Sequence, residues 1–337
     1  MSDLLQQYAN KAGIHLPQGV DIMTKDSLMA LDAQPTAITT SSGGIPTFLT
    51  TGIDNKVIDV LLSPMKAVEV AGGEVKKGDW TTSSWAFPLF ENTGEVSSYG
   101  DYSNNGNIKG NLNFVHRQPY HYQVVTKWGQ LEMERAGLAK VDWASKLNIN
   151  SVMQLNRYQN KTYFNGVAGL QNYGLLNDPA LSVAIAPTTK ALGGTTWANG
   201  TANEILADVT KLFKQLQTQA GGTVGLDTVM TLAISPLSEA YLTTTTIYNV
   251  NVQDLLKKNY PNLKIVYAVE YSTGSGELMQ LIANNVEGQE TVDCAFTEKL
   301  RAFPILPDLS AWSQKKMQGT YGAIIYRPAL IAQMIGM

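Results

Sequence analysis

The sequence predicts an α+β protein built around unusually long elements. Three observations carry that prediction. Residues 108–124 alternate with a period of two, residues 127–164 form a proline-free run with helical spacing, and short apolar strands and helices follow from Leu175 onward.

Residues 1–50 lack sustained periodicity and contain Pro17, Pro35 and a TTSSGGIP stretch ending at Pro46, so an extended N-terminal arm is expected there. Residues 51–75 read as a connector, with a helical turn over 54–61 before Pro64. Residues 76–126 read as a long hairpin loop. Trp85, Phe87 and Leu89 alternate on its first strand, and Gly94, Gly100 and the Asn104, Asn105, Gly106 cluster supply turn chemistry. The second strand, 108–124, would span on the order of 55 Å at a strand's rise per residue. Pro119 cannot donate to a ladder, which implies an edge or a bulge midway. A two-stranded arm is marginal alone in water and is expected to rest on something else.

The run 127–164, within a segment 127–175, is read as one long helix of roughly 55 Å. Leu138, Val141, Leu147, Val152, Leu155 and Tyr158 mark its apolar stripe, with Leu138, Val141 and Leu155 as its core and Arg135, Lys140 and Lys146 more exposed. The Gly-punctuated stretch VAGLQNYGLLNDP, residues 167–179, turns the chain after it and contains no nucleophile, metal ligand or phosphate loop. In residues 176–337, Asn203 is placed as the cap of a helix with the stripe Ile205, Val209, Leu212, Phe213 and Leu216, closed by Gly221 and Gly222. Strands are expected at 229–234, 265–269, 277–283 and, as the last, 322–326; helices at 236–242 and 254–259.

Charged residues make up 16% of the chain and apolar ones 44%, the deficit of charge being filled by Thr, Ser, Asn, Gln and Gly. Such a surface suits subunit contact as well as simple solvation. The net charge of −3 excludes the basic excess of a specific nucleic-acid binder. The first twenty residues show no basic-then-apolar signal pattern, and no eighteen apolar residues run together, so a soluble, non-exported chain is expected with no membrane partner. A single cysteine, Cys294, excludes an internal disulfide framework and fits a reducing cytoplasm.

No catalytic set converges, and no cofactor or metal site is expected. His116 and His121 bracket Pro119 on a strand and face opposite sides, while His15 is isolated. Cys294 reads as a small buried hydrophobe. Ser235 lacks the flanking glycines of a nucleophile elbow and reads as the cap of the helix at Pro236. Gly221, Gly222 and Gly225 lack the Lys and Ser or Thr of a phosphate loop. Glu132 and Glu134, two apart on a helix, diverge.

Four strings resemble the major capsid proteins of tailed bacteriophages, the family with the Hong Kong-type shell fold. They are KKGDWTTSSWAFPLFENTGEVSSYGDYSNNG at 76–106, WGQLEMERAGLAKVDW at 128–143, FNGVAGLQNYGLLNDP at 164–179 and CAFTEKLRAFPILPDLSAWSQKKMQGTYGAIIYRPALIAQMIG at 294–336. The resemblance implies an N-terminal arm, an extended loop at 76–126, a spine helix opening a peripheral domain at 127–175, and an axial domain with the remaining peripheral elements at 176–337. It also implies self-assembly into pentamers and hexamers of an icosahedral head around double-stranded DNA held non-specifically. Portal, scaffold and decoration proteins are the other partners it implies, with assembly in the bacterial cytoplasm and a final place in the virion capsid. The subunit interface is placed at the loop tip, on Glu95, Tyr99, Asp101, Asn104 and Asn105. Two rival readings stand: a bacterial nanocompartment shell of the same fold, and a metabolic α+β enzyme, which the missing catalytic set disfavours.

Overall fold

The computed structural model describes residues 62–138, 142–246 and 248–337. The expected arm over 1–50, the helical turn over 54–61, and Lys140 and Val141 lie outside these residues.

Leu62–Lys66 leads into a short helix α1 (Ala67–Ala71) and strand β1 (Glu74–Lys76). The hairpin is β2 (Trp85–Glu95) paired antiparallel with β3 (Asn107–Arg117), Trp85 opposite Arg117 and Glu95 opposite Asn107. The single strand expected over 108–124 is two strands. Pro119 ends β3, and the chain re-enters as β4 (Tyr120–Gly129) in another sheet, paired along β13 (Ala311–Ile325). A residue that cannot donate is tolerated because it lies where the chain changes partners.

The long helix is likewise divided. Residues 127–129 complete β4, α2 spans Gln130–Leu138, and α3 spans Trp143–Asn165, its first turn capped by the Asp142 carboxylate accepting from the Ser145 N–H at 3.2 Å. At 1.5 Å per residue α3 is about 35 Å long. Leu155 is 1% exposed and sits in the core, but Leu138 is 87% exposed at the end of α2, a helix with no buried residue among those described. The stripe drawn through both assumed continuous helical phase, which Asp142 breaks by restarting the helix.

Two sheets share the main core. In the first, β1, β11 (Val292–Ala302), β13 and β12 (Leu306–Asp308) pair in that order, and β4 joins the other edge of β13. Helix α3 lies against one face: the Lys316 ammonium donates to the Ser151 hydroxyl at 2.7 Å, and Gln318 donates to Asn156 at 2.8 Å. The second sheet runs β14 (Ile331–Ile335), β8 (Gly276–Ala283), β5 (Met230–Ile234) and β6 (Leu263–Tyr267), with β7 (Ser272–Thr273) on β8; β9 (Asn285–Val286) and β10 (Gln289–Glu290) form a separate small hairpin. Helix α4 (Ala202–Gln219) covers its outer face with all five residues of the expected stripe. Its inner face, through Ala233, Ile282 and Ile331, meets Cys294 and Ala323 of the first sheet and Tyr163 and Phe164 of α3. Strand β5 is buried on both faces, which is why it reads as a continuous apolar run.

Several boundaries move. The cap of α4 is Thr201, whose N–H and hydroxyl both meet the Glu204 carboxylate at 2.8 Å, two residues before the expected Asn203. Helix α5 (Pro236–Leu242) begins where expected, and the Ser235 hydroxyl accepts from the Ser238 N–H at 3.2 Å. Helix α6 covers Val252–Asn259. Residues 322–326 are not a separate last strand: they largely finish the fifteen-residue β13, and β14 follows. His121 approaches the Thr297 hydroxyl at 3.2 Å from β4, whereas His116 is exposed on β3, so the two belong to different sheets.

Two buried ion pairs fix loops to this frame. Lys190 and Asp208 are fully buried, and Asp208 also accepts from the Trp197 indole at 3.0 Å and the Thr188 hydroxyl at 2.6 Å, pinning residues 188–197 to α4. Arg117, at the end of β3, donates to Asp178 at 2.7 Å and lies over the Tyr173 ring at 4.8 Å. The same turn accepts the Gln118 N–H through Gln171 O at 2.9 Å and the Ala323 N–H through Tyr173 O at 2.9 Å. Its approach is too close for a side chain: a Cβ on Gly322 (φ +74°) would fall 2.1 Å from Tyr173 O, and one on Gly174 2.3 Å from the Phe164 backbone. At the same hairpin root, Phe87 meets Tyr326 edge to face at 5.9 Å, and burial, reinforced by neighbouring Glu290, pushes the Asp293 carboxyl up to about 6.

Leu155→Ala is expected to cost about 2–5 kcal/mol of subunit stability and Leu138→Ala within about 0.5 kcal/mol, as read by urea unfolding. Asp293 has a folded pKa above its unfolded value, so its contribution favours the fold at acid pH and is lost as pH rises through about 6. Asp293→Asn should therefore raise the melting temperature at about pH 8 more than at about pH 5. An equal gain at both would contradict that assignment.

Candidate functional site

Strands β2 and β3 form a ribbon whose side chains alternate between two faces. Near the root, Trp85 and Phe87 turn toward Ala295, Tyr321 and Ile324. Further out the same face is polar, with Glu91, Thr93 and Glu95 across from Asn111, Lys109 and Asn107. The other face carries Pro88 opposite Phe114, Phe90 opposite Leu112, and Ile108 opposite Gly94. The Phe90 ring lies over Gly110, where a Cβ would meet it at 2.6 Å.

These apolar side chains are uncovered. Phe90 is 63% exposed, Ile108 79%, Leu112 54% and Phe114 51%. Every described residue of β3 before Arg117 is exposed. A ribbon open on both faces, with an aromatic and aliphatic stripe along one of them, is a surface that gains free energy by being covered. At about 25 cal/mol per Å² of apolar area, each large side chain contributes on the order of 1–2 kcal/mol to such a contact.

The tip residues chosen from sequence lie together at the far end. Glu95, Asn104 and Asn105 border a hollow of about 600 Å³, lined also by Lys109. Tyr99, 93% exposed, donates its hydroxyl to the Asp101 carboxylate at 2.9 Å. The apolar stripe was not among those choices, although its signal was present: Ile108, Leu112 and Phe114 are the even positions of the alternation that defined the strand. Their alternation marks a strand of an arm expected to rest on something else, and among the described residues nothing covers them.

The chemistry of the rest is sparse. Among the described residues, no group of three or more His, Cys, Asp or Glu side chains could hold a metal ion, and no helix is long and apolar enough to cross a membrane. The Cys294 thiol is fully buried and pushed well above its ordinary pKa by desolvation. It is not available as a nucleophile.

The fold recurs in phage shells. The chain is similar to the capsid of Myoviridae phage XM1, at 12% identity over 88% of this chain and 100% of that chain, with a TM-score of 0.74. It is also similar to the capsid of the native GTA particle (9% identity, 90% and 99% covered, TM-score 0.60) and to a Mycobacterium phage Ogopogo structure (9% identity, 94% and 99% covered, TM-score 0.57). At such identities the likeness establishes the Hong Kong-type fold. No curated protein matches the chain. The family model of the Pa193 gp26 major capsid protein matches residues 36–336. With nearly its whole length matched, the chain belongs to the Pa193 gp26 major capsid protein family and is a shell-forming structural protein of a phage head, not an enzyme.

Proposed function

We propose that the β2–β3 ribbon is the extended loop by which each subunit rests on the next, and that these contacts close into the pentamers and hexamers of an icosahedral shell. The uncovered stripe of Phe90, Ile108, Leu112 and Phe114 carries this reading, because no other described element covers it. Contacts of this kind join different patches of two copies and so propagate around a ring until the rotation closes. The tip residues Glu95, Tyr99, Asp101, Asn104 and Asn105 then form the polar end of the interface.

In the same reading, α3 with the β1, β4 and β11–β13 sheet is the peripheral domain, and the β5, β6, β8 and β14 sheet with α4–α6 is the axial domain. The shell encloses double-stranded DNA without sequence preference, consistent with a net charge of −3. Portal, scaffold and decoration proteins complete the head, which assembles in the host cytoplasm.

Deleting residues 94–106 should leave a folded subunit, with its melting temperature within a few degrees of wild type, that forms no shells by sedimentation. Normal shells from the deletion variant would refute the role given to the hairpin. The unassembled subunit should bind duplex DNA no better than a generic acidic protein at physiological salt; filter binding with a preference for one sequence would contradict non-specific confinement.

A further inference from the structure

Asparagine followed by glycine occurs at 105–106, 165–166 and 199–200. The pair is chemically labile. Glycine has no side chain to hinder its backbone nitrogen, which can reach back to the side-chain carbonyl carbon of the preceding asparagine wherever the backbone is free to rotate. How each pair is held therefore decides whether it reacts.

Two of the pairs are tied down. Asn165 is the last residue of α3, and the Gly166 N–H donates to the Thr162 carbonyl at 2.7 Å. A Cβ on Gly166 would fall 2.3 Å from Asn172 O, so the backbone there has no room to turn. Asn199 ends a short 3-10 helix (Trp197–Asn199). The Gly200 N–H donates to the Trp197 carbonyl at 3.0 Å, and the Asn199 amide itself donates to Gly193 O at 3.2 Å.

Asn105 and Gly106 differ on each count. They close the loop between β2 and β3, both are exposed, and Gly106 takes the left-handed φ of +91° with which the chain enters β3. Among the described residues, neither the Gly106 N–H nor the Asn105 side chain has a hydrogen-bond partner. Both residues border the open hollow of about 600 Å³ at the tip, so water reaches them.

We propose that Asn105 is a site of spontaneous deamidation, and that its conversion withdraws unassembled subunits from shell formation. The Gly106 nitrogen gives up its proton and bonds to Asn105 Cγ; the Cγ–Nδ2 bond breaks, and the nitrogen leaves with that proton as ammonia. Water then opens the five-membered imide by breaking one of the two bonds to its nitrogen. Cleavage at the side-chain carbonyl gives aspartate, and cleavage at the main-chain carbonyl gives isoaspartate. In sum, amide and water become acid and ammonia, with no change of oxidation state. The new carboxylate stands in the same hollow as Glu95, with Asp101 also at the tip. Isoaspartate further adds one backbone atom to the loop that sets Glu95 opposite Asn107. The effect on assembly rests on the reading that the tip meets a neighbouring subunit, whereas the chemistry at Asn105 does not. Once the tip is seated, its backbone is fixed, so assembly protects the site.

Peptide mapping of the full chain tests both halves. In unassembled subunits held at mildly alkaline pH, residue 105 should gain one mass unit roughly tenfold faster than residues 165 and 199, whose nitrogens are held out of line. Unfolding in urea should bring the three rates within about twofold of one another, because only the fold distinguishes them. Equal rates in the folded chain, or no gain at 105, would overturn the site. Asn105→Asp should lower the yield of sedimenting shells by roughly threefold through its added charge, with the melting temperature unchanged. Asn105→Gln, whose longer side chain would have to close a six-membered ring, should keep its competence through an incubation that costs wild type its own. Normal shells from Asn105→Asp would overturn the effect on assembly and leave the site standing. Normal shells from the chain lacking residues 94–106 would instead remove the reading beneath that effect.

Discussion

The subunit depends on a backbone contact that no side chain could share. The turn after α3 folds back until Tyr173 touches β13 at Gly322 and Gly174 touches the end of α3 itself. Those two contacts close α3, β13 and the turn into one unit. From that unit Asp178 reaches Arg117 and Gln171 reaches Gln118, so the end of β3 is held by the turn. The carbonyl of Leu175 accepts from Gln280 at 3.0 Å, so β8 of the second sheet is held by it as well. A methyl group at Gly322 would push apart elements that lie far from one another in sequence. Function in this chain therefore rests on a turn with no reactive group in it.

How much of this was legible in sequence depended on whether local signals decided the outcome. Helix α4 was readable because its apolar stripe and closing glycines agree over eighteen residues, although the cap fell two residues earlier than expected. Strand β5 was readable because burial on both faces leaves an unbroken apolar run. The hairpin was readable from its alternation and its turn residues. Misreadings arose where tertiary pairing outweighed local pattern. Residues 108–124 keep one alternation through Pro119, yet the two halves belong to different sheets, and no period reports a change of partner. Residues 127–164 lack proline, yet Asp142 restarts the helix and carries Leu138 out of the stripe that ends at Leu155. Strand β11 went unseen since its bulges between Ala295 and Arg301 scramble the alternation. The buried Lys190–Asp208 pair was invisible for a different reason: a single carboxylate on an apolar helix face announces no partner eighteen residues away.

The low charge of the chain takes on a meaning from this arrangement. With few ionic groups available, Glu91 and Glu95 on the ribbon stand among neutral polar neighbours, Thr93, Asn107 and Asn111. Four of the large exposed apolar residues, Phe90, Ile108, Leu112 and Phe114, line one face of the ribbon, where covering them and fixing the ribbon's position are the same event.

The ribbon is also a lever. Its root is held by aromatic packing, the Arg117–Asp178 pair and backbone bonds to the turn, while its eleven paired residues extend about 33 Å from Trp85 to Glu95 at the rise of a strand. A rotation of about 10° at the root then moves the tip by roughly 6 Å, without breaking a bond within the ribbon. Any small change in how Phe87 packs against Tyr326 would therefore be magnified at the tip, several ångströms for a few degrees at the root.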